Sequence, residues 1–158
     1  MTVYVAIAGV LGLMGVIVFY ASLDNVHLEQ AEIELFSVEL IDVDNENNQA
    51  KFDVTFLVKN PSEKAFTVGV IDYQLFTDGV ELGSGQYSAM DVALPGRAVF
   101  SSGDQIPLGS IFVLTKSEIS PEIYEDMINE RIDSFSAEGL LTTQTSWSTI
   151  DKEFSTGF

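Results

Sequence analysis

Carboxylates are the side chains of this sequence that are best suited to chemistry. Asp42, Asp44 and Glu46 occupy alternate positions, as the first oxygen ligands of an EF-hand calcium loop do. The segment lacks a glycine at the sixth loop position, and Asp53 rather than Glu stands at the twelfth. We therefore interpret it as an acidic hairpin turn, with a calcium site as the weaker alternative.

Other catalytic or metal-binding chemistry is poorly supported. His27 is the only histidine and cysteine is absent, so the sequence offers neither a nucleophile paired with a base nor a thiolate metal site. Its glycines suit turns and bulges, and no strand–loop–helix unit surrounds them as in a phosphate-binding loop. We predict no catalytic residue, no cofactor and no small-molecule substrate, and hence a protein that is not an enzyme.

The charges divide the chain into two parts. Its 158 residues include 24 acidic and 7 basic side chains, a net charge of −17, and none of them precedes Asp24. Such acidity repels phosphates and argues against a nucleic-acid partner. A hydrophobic fraction of 46% is enough for a packed core, which argues against a disordered acidic chain. The acidity and the absence of cysteine suggest a salt-adapted archaeal source.

The uncharged start of the chain predicts a membrane segment. The run from Val3 to Ala21 holds 19 uncharged residues. A helix of that length spans about 29 Å, close to the thickness of the hydrocarbon layer of a bilayer. A cleaved signal peptide is the main alternative, but no basic residue precedes the apolar run and the cleavage site is poor. We predict a single transmembrane helix over residues 1–23 that contacts lipid through 3–21, with the following domain on the extracytoplasmic side.

Small residues line one face of this predicted helix. Ala8, Gly12 and Gly15 follow one another at spacings of four and three, which places them on the same side. A small-xxx-small pattern lets two helices approach closely in a membrane. We expect this face to pack against a protein partner, with the general frequency of glycine in membrane helices as the alternative explanation.

From Ala31 onward, apolar and polar residues alternate with a period of two, which predicts β-strands. The alternation changes phase near Leu35-Phe36, which indicates a bulge or a bend, and Gly83 and Gly85 suggest another bulge. Asp78-Gly79 and Pro95-Gly96 predict turns. The predicted strands cover residues 31–40, 50–59, 66–76, 80–83, 88–94, 97–101, 105–114, 135–143 and 146–154.

One helix is predicted late in the chain. Ser120 is a suitable N-cap, Pro121 suits the first helical position, and Glu122 favours a helix N-terminus. The pattern as a whole predicts a mainly β protein, an antiparallel β-sandwich with one late helix. We place this domain at residues 31–158, after a connector or helix continuation at 24–30.

The segment Phe52–Pro61, a strand that ends at Asn60-Pro61, resembles the signature of the LEA14-like domain. This family is also called WHy, for water stress and hypersensitive response. The likeness continues through 66–76, Asp78-Gly79 and 82–85 to Leu94-Pro95-Gly96, and it covers residues 31–158. It implies a Greek-key β-sandwich with one helix, a link to desiccation and stress protection, and no agreed catalytic residues. Some plant members of the family carry an N-terminal membrane anchor.

Residues and resemblance together predict a non-enzymatic, membrane-anchored LEA14-like domain. Its role would be protein interaction, stress protection or envelope organisation. One alternative is an accessory subunit of a larger multi-subunit membrane complex. Another is a subunit of a cell-surface filament, in which the apolar helix forms a central bundle.

Overall fold

The alternating sequence folds into two antiparallel sheets that follow one long helix. The structure is a computed structural model that describes residues 2–90 and 98–158, with the side chains of these residues except 2–6 and 20–26. The elements are, in order, α1 (Thr2–Leu28), β1 (Glu32–Asp44), β2 (Gln49–Lys59), β3 (Phe66–Thr77), β4 (Val80–Ser88), β5 (Val99–Phe100), β6 (Gln105–Thr115), α2 (Pro121–Ile128), β7 (Ser136–Gln144) and β8 (Thr149–Gly157).

The strands form one three-stranded and one five-stranded sheet. The first has the order β1-β2-β6, and the second has the order β4-β3-β7-β8 with the short β5 paired to β3. All the pairings are antiparallel. The chain crosses between the sheets from β2 to β3, from β5 to β6 and, through α2, from β6 to β7.

The inner faces of the two sheets share one hydrophobic core. Strand β2 buries every second residue, as its alternating sequence requires. Its Phe56 is fully buried and meets Tyr73 of β3 edge-on, with 4.9 Å between ring centroids. Phe56 also meets Phe154 of β8 at 5.7 Å, so aromatic contacts tie the sheets together. The prediction of a mainly β protein with two packed antiparallel sheets is confirmed.

The late helix is also confirmed. Ser120 caps α2 by accepting a hydrogen bond from the Ile123 backbone N–H at 3.3 Å, and Pro121 opens the helix. Tyr124 and Met127 are buried and hold α2 against the core. The sequence signals for this element were local, which is why they located it so well.

Strand β1 contains two irregularities where one was predicted. The pairing with β2 shifts between Leu35 and Ser37 and again between Leu40 and Asp42. Phe36 and Ile41 are the extra residues, and both are exposed, at 63% and 54%. The first shift matches the predicted irregularity. The second was not predicted, although the adjacent apolar residues Leu40 and Ile41 change the phase of the alternation just as Leu35 and Phe36 do.

The strand that follows the Asp78-Gly79 turn is longer than predicted. One strand runs from Val80 to Ser88, where the sequence suggested a break. The bulge lies beside Gly83, which has a φ of 140°, while Gly85 pairs regularly with Tyr73. A Cβ at Gly85 would meet the Tyr73 ring, so that position requires glycine for space. The Pro95-Gly96 turn and most of the strand predicted at 88–94 lie outside the described residues.

Candidate interaction sites

The apolar part of α1 stands clear of the sandwich. Every residue from 7 to 19 is exposed. Nine of them are large apolar side chains: Ile7, Val10, Leu11, Leu13, Met14, Val16, Ile17, Val18 and Phe19. Over the part of the chain that the structure describes, no helix is long and apolar enough to qualify as a membrane span.

The predicted packing face, Ala8, Gly12 and Gly15, belongs to this exposed stretch. A Cβ added at Gly12 or Gly15 would have no described atom within 4 Å apart from the local helix backbone and chain neighbours. The three residues therefore lie on an open surface of the helix. Close approach of a second helix at this face is sterically possible.

The end of α1 is fixed to the sandwich. Helical structure continues to Leu28, whose side chain is 1% exposed and belongs to the core. Lys152 of β8 donates hydrogen bonds to the carbonyl oxygens of Glu29 at 2.9 Å and Ala31 at 2.7 Å. His27 lies half-buried at this junction. The helix thus enters the domain without a long flexible linker.

The candidate calcium ligands Asp42, Asp44 and Glu46 lie at the β1–β2 hairpin. Asp44 Oδ1 accepts backbone N–H groups from Glu46 and Asn47, both at 3.0 Å, and its Oδ2 accepts the Asn47 side-chain amide at 2.7 Å. These hydrogen bonds, chiefly those from Asn47, lower the pKa of the Asp44 carboxyl. In the described ranges, no group of three or more acidic, histidine or cysteine residues could hold a metal ion. The Asp44 carboxylate therefore stabilises the turn.

The Asn60-Pro61 signature also has a structural explanation. Asn60 is 1% exposed and directly follows β2, where the chain crosses to the other sheet. Its side-chain Nδ2 donates to the carbonyls of Lys64 at 2.8 Å, Phe100 at 2.9 Å and Ser101 at 3.1 Å. Its Oδ1 accepts from the backbone N–H of Ser62 at 3.0 Å and from the Ser62 hydroxyl at 2.7 Å.

We call this arrangement the Asn60 corner, meaning Asn60, Ser62 and the backbone groups that they bind. It joins the β2–β3 connection to β5 and to the turn at 101–104. The Asn60 backbone adds to it, because its N–H donates to the Asp104 carbonyl and its carbonyl accepts from Gly103. Few other side chains offer both a donor group and an acceptor in so small a volume.

The outer face of β3, β7 and β8 is acidic. Register places Asp72 opposite Leu140, and Leu140 opposite Glu153. Lys152 is the only basic residue of β3, β4, β7 and β8, and it is bonded to the end of α1. Shallow cavities of about 600 and 540 Å³ lie on this face.

The carboxylates of this face are largely engaged by neutral neighbours. Gln86 donates to Asp72 at 2.5 Å, Ser155 donates to Glu138 at 3.2 Å, and Thr142 donates to Asp151 at 2.7 Å. The face is consequently a solvated polar surface. Sequence reasoning missed it because the acids come from three strands, and only the pairing register brings them together.

A groove of about 600 Å³ runs between the edges of β4 and β6. Beneath it, the Tyr73 and Ser110 hydroxyls form a buried hydrogen bond of 2.8 Å between the sheets. Burial raises the pKa of Tyr73, and it also raises that of Tyr87 on the groove wall. Both phenols are therefore protonated at neutral pH.

Comparison with known proteins identifies the fold. No protein-family model matches the sequence, and no curated protein matches it. A solution structure of an Arabidopsis thaliana protein matches with 18% identity and a TM-score of 0.52, covering 80% of each chain.

Two further solved structures are similar at lower scores. A candidate late embryogenesis abundant (LEA) protein has 17% identity and a TM-score of 0.47, covering 82% of this chain and 71% of that one. A protein from Archaeoglobus fulgidus has 14% identity and a TM-score of 0.48, covering 79% of this chain and 94% of that one. At these identities the likeness concerns the fold alone.

Proposed function

We propose that this chain is a non-enzymatic, single-pass membrane protein that displays a LEA14-like sandwich on the extracytoplasmic side. The apolar run 3–21 is its anchor. The sandwich acts in protein interaction, stress protection or envelope organisation. The observation that carries the proposal is the exposure of every residue from 7 to 19 on a helix that holds no charged residue in that stretch.

Hydrophobic energetics support the anchor. Burial of a large aliphatic or aromatic side chain contributes about 1.5–3 kcal/mol, and α1 exposes nine of them. They point in all directions around the helix axis, so no single contact with the sandwich could cover them. A lipid environment covers every side at once, and it suits a helix whose backbone hydrogen bonds are satisfied internally.

The sequence and the fold support the assignment of the domain. The Asn60-Pro61 signature occurs at the end of a strand, as the resemblance implied, and two antiparallel sheets with a late helix surround it. A non-enzymatic role agrees with the engaged carboxylates, the protonated tyrosines and the absence of cysteine.

A second candidate function is an accessory subunit of a membrane complex. The open face formed by Ala8, Gly12 and Gly15 favours it, because small residues with free space above them permit close packing of another helix. Purification in mild detergent distinguishes the two. A chain recovered alone and monomeric contradicts the subunit role, whereas stoichiometric membrane partners support it.

The anchor is tested by flotation of the full chain with liposomes. We expect the protein to float and to resist extraction at high pH. The variant Leu13→Lys places a charge near the middle of the run and makes insertion about 3 kcal/mol less favourable, so most of the floated fraction should be lost.

Ile111→Lys is the matched control, because Ile111 is an equally exposed apolar residue but lies on β6 of the sandwich. It should float like the native chain. Failure of the native chain to float, or equal flotation of both variants, would contradict the anchor. Protease added to intact cells should degrade the sandwich, and full protection until lysis would reverse the proposed orientation.

A further inference from the structure

The two most exposed large apolar side chains of the described sandwich lie on loops. Trp147 is 84% exposed at the tip of the β7–β8 hairpin, and Met90 is 82% exposed just after β4. Trp147 is held on an ordered turn: the Thr145 N–H donates to the Ser148 carbonyl at 2.8 Å, and the Thr145 hydroxyl accepts from the Ser148 N–H at 3.2 Å. The hairpin therefore presents the indole outward from a defined position.

Strand pairing places both loops at one end of the sandwich. Gln144, the last residue of β7, lies opposite Thr67 at the start of β3, so the β7–β8 hairpin projects beyond that end. Ser88 lies opposite Val70, and the next N–H, of Ala89, bonds the Gly69 carbonyl. Met90 follows directly, and thus also lies toward the start of β3.

Helix α1 enters the sandwich at this same end. Just after α1, the carbonyls of Glu29 and Ala31 accept hydrogen bonds from Lys152 of β8. Further along both segments, the Thr156 hydroxyl accepts the Leu35 N–H at 3.2 Å. The chain from Glu29 to Leu35 therefore runs alongside β8 in the same direction. Extrapolated back toward α1, this path places Leu28 level with the start of β8. Strand β8 begins two residues after Trp147.

The distance between the anchor and this end is short. Helical structure extends seven residues beyond the apolar run, from Ser22 to Leu28. At 1.5 Å per residue these span about 10 Å, which exceeds the headgroup layer of about 6 Å on each side of a bilayer by about 4 Å. An indole that extends from this end is within reach of the lipid interface.

Charge favours the same orientation. The acidic β1–β2 hairpin with Asp44 and Glu46, and the helix α2 with Glu122 and Glu125, lie at the opposite end of the sandwich, because β1 ends there and α2 follows the end of β6. Anionic headgroups repel that end. The end that α1 enters also carries acids, among them Glu29, Glu32 and Glu63, but these are accompanied by Lys59, Lys64 and Lys152 and by the most exposed apolar loops.

We infer that this end of the sandwich is a second membrane contact, in which Trp147 and Met90 insert among phospholipid headgroups next to α1. The inference rests on the proposed anchor. Tryptophan is enriched at membrane interfaces because its ring is apolar and its N–H bonds water or headgroups. The contact holds the sandwich against the bilayer, with its acidic end pointing away from the surface.

The single tryptophan of the chain allows a direct test by fluorescence. The full chain is reconstituted in vesicles of zwitterionic phosphatidylcholine whose acyl chains carry bromine near the headgroup. We expect blue-shifted Trp147 emission and strong quenching relative to unlabelled vesicles.

The control is the double variant Trp147→Phe, Val80→Trp. It moves the only indole to the β3–β4 hairpin, where Val80 is exposed at the opposite end of the sandwich. Its emission should stay red-shifted and unquenched by the same lipid. Equal quenching of both proteins would overturn the inference, since it would reflect nonspecific contact of the whole domain.

Flotation of the same samples separates this inference from the proposed function. If the chain does not float, the anchor itself fails, and the inference fails with it. If the chain floats but brominated lipid leaves Trp147 unquenched, the anchor stands and the second contact is refuted. Blue-shifted emission without lipid quenching also refutes it, because the indole would then be buried against protein.

Discussion

The exposed segment 7–19 of α1 and the Asn60 corner depart from the usual placement of side chains in opposite ways. In α1, large apolar groups are exposed on every side. At the corner, the amide of Asn60 and the hydroxyl of Ser62 are buried at 1% and 2% exposure. Asn60 bonds five groups of its own chain, so the corner is satisfied internally. The large apolar side chains of segment 7–19, in contrast, are not buried by the described part of the chain.

The largest expected effect comes from removing the buried hydrogen bonds of the Asn60 corner. Asn60→Ala leaves the carbonyls of Lys64, Phe100 and Ser101 without their shared donor and removes the acceptor for Ser62. We expect a loss of about 3 kcal/mol in the free energy of unfolding, because unpaired buried polar groups cost 1–3 kcal/mol each. Thermal unfolding followed by circular dichroism should show a melting temperature lower by about 10 °C.

Asn129→Ala provides the matched control. Asn129 is exposed and its side chain bonds only the Glu125 carbonyl, so its loss should change the melting temperature by far less. Similar melting temperatures for Asn60→Ala and the native chain would show that the corner does not hold the sheets together.

The second prediction concerns helix association through the exposed segment of α1. Gly12→Leu fills the open face that Gly12 shares with Ala8 and Gly15, and should weaken association with a partner helix about 10-fold. Co-purification or cross-linking in mild detergent measures this change. Val10→Leu alters bulk on the opposite side of the helix and should leave association intact. Equal recovery of partners with both variants would remove the packing role of this face.

The third effect concerns the junction between α1 and the sandwich. Lys152→Ala removes the donors to the Glu29 and Ala31 carbonyls. The group is partly exposed, so we expect a loss of only about 1 kcal/mol in stability. We also expect faster amide hydrogen exchange at residues 29–32, which mass spectrometry can follow. Unchanged exchange would mean that burial of Leu28 alone fixes the helix end.

The smallest effect concerns the acidic hairpin. Its hydrogen bonds give Asp44 a folded-state pKa below its unfolded value. This contribution to stability is complete above the unfolded pKa, and it is lost as the pH falls through the lower folded value. Asn47→Ala removes the largest cause and should raise the Asp44 pKa toward its ordinary value, as an NMR titration of the carboxyl would show.

Addition of millimolar calcium should leave the native titration unchanged, and a marked shift would revive the calcium alternative.

Local signals made much of this fold predictable. Ser120-Pro121 located α2, Asp78-Gly79 located the β3–β4 hairpin, and the alternation from Ala50 to Lys59 matches β2 closely. Each of these depends on residues near one another in the sequence. The period-two pattern also gave the buried face of β2 correctly, since its side chains alternate strictly between core and solvent.

Features that depend on pairing were harder to predict. The role of Gly85 depends on Tyr73 across the strand pair. The acidic outer face arises from register between β3, β7 and β8. Asn60 was recognised as a signature, but its partners near Phe100 lie 40 residues away, so its function in the corner required the structure.

Under the proposed membrane anchor, the two bulges of β1 affect how neighbouring copies of the chain meet. Anchored proteins are confined to two dimensions, where their local concentration is high and exposed strand edges meet often. Strand β1 lies at the edge of its sheet, but Phe36 and Ile41 interrupt its regular spacing, and Glu32 and Glu39 add repulsion between copies. Such an edge resists strand-to-strand association. Sandwiches anchored as proposed can therefore remain separate even when they are crowded.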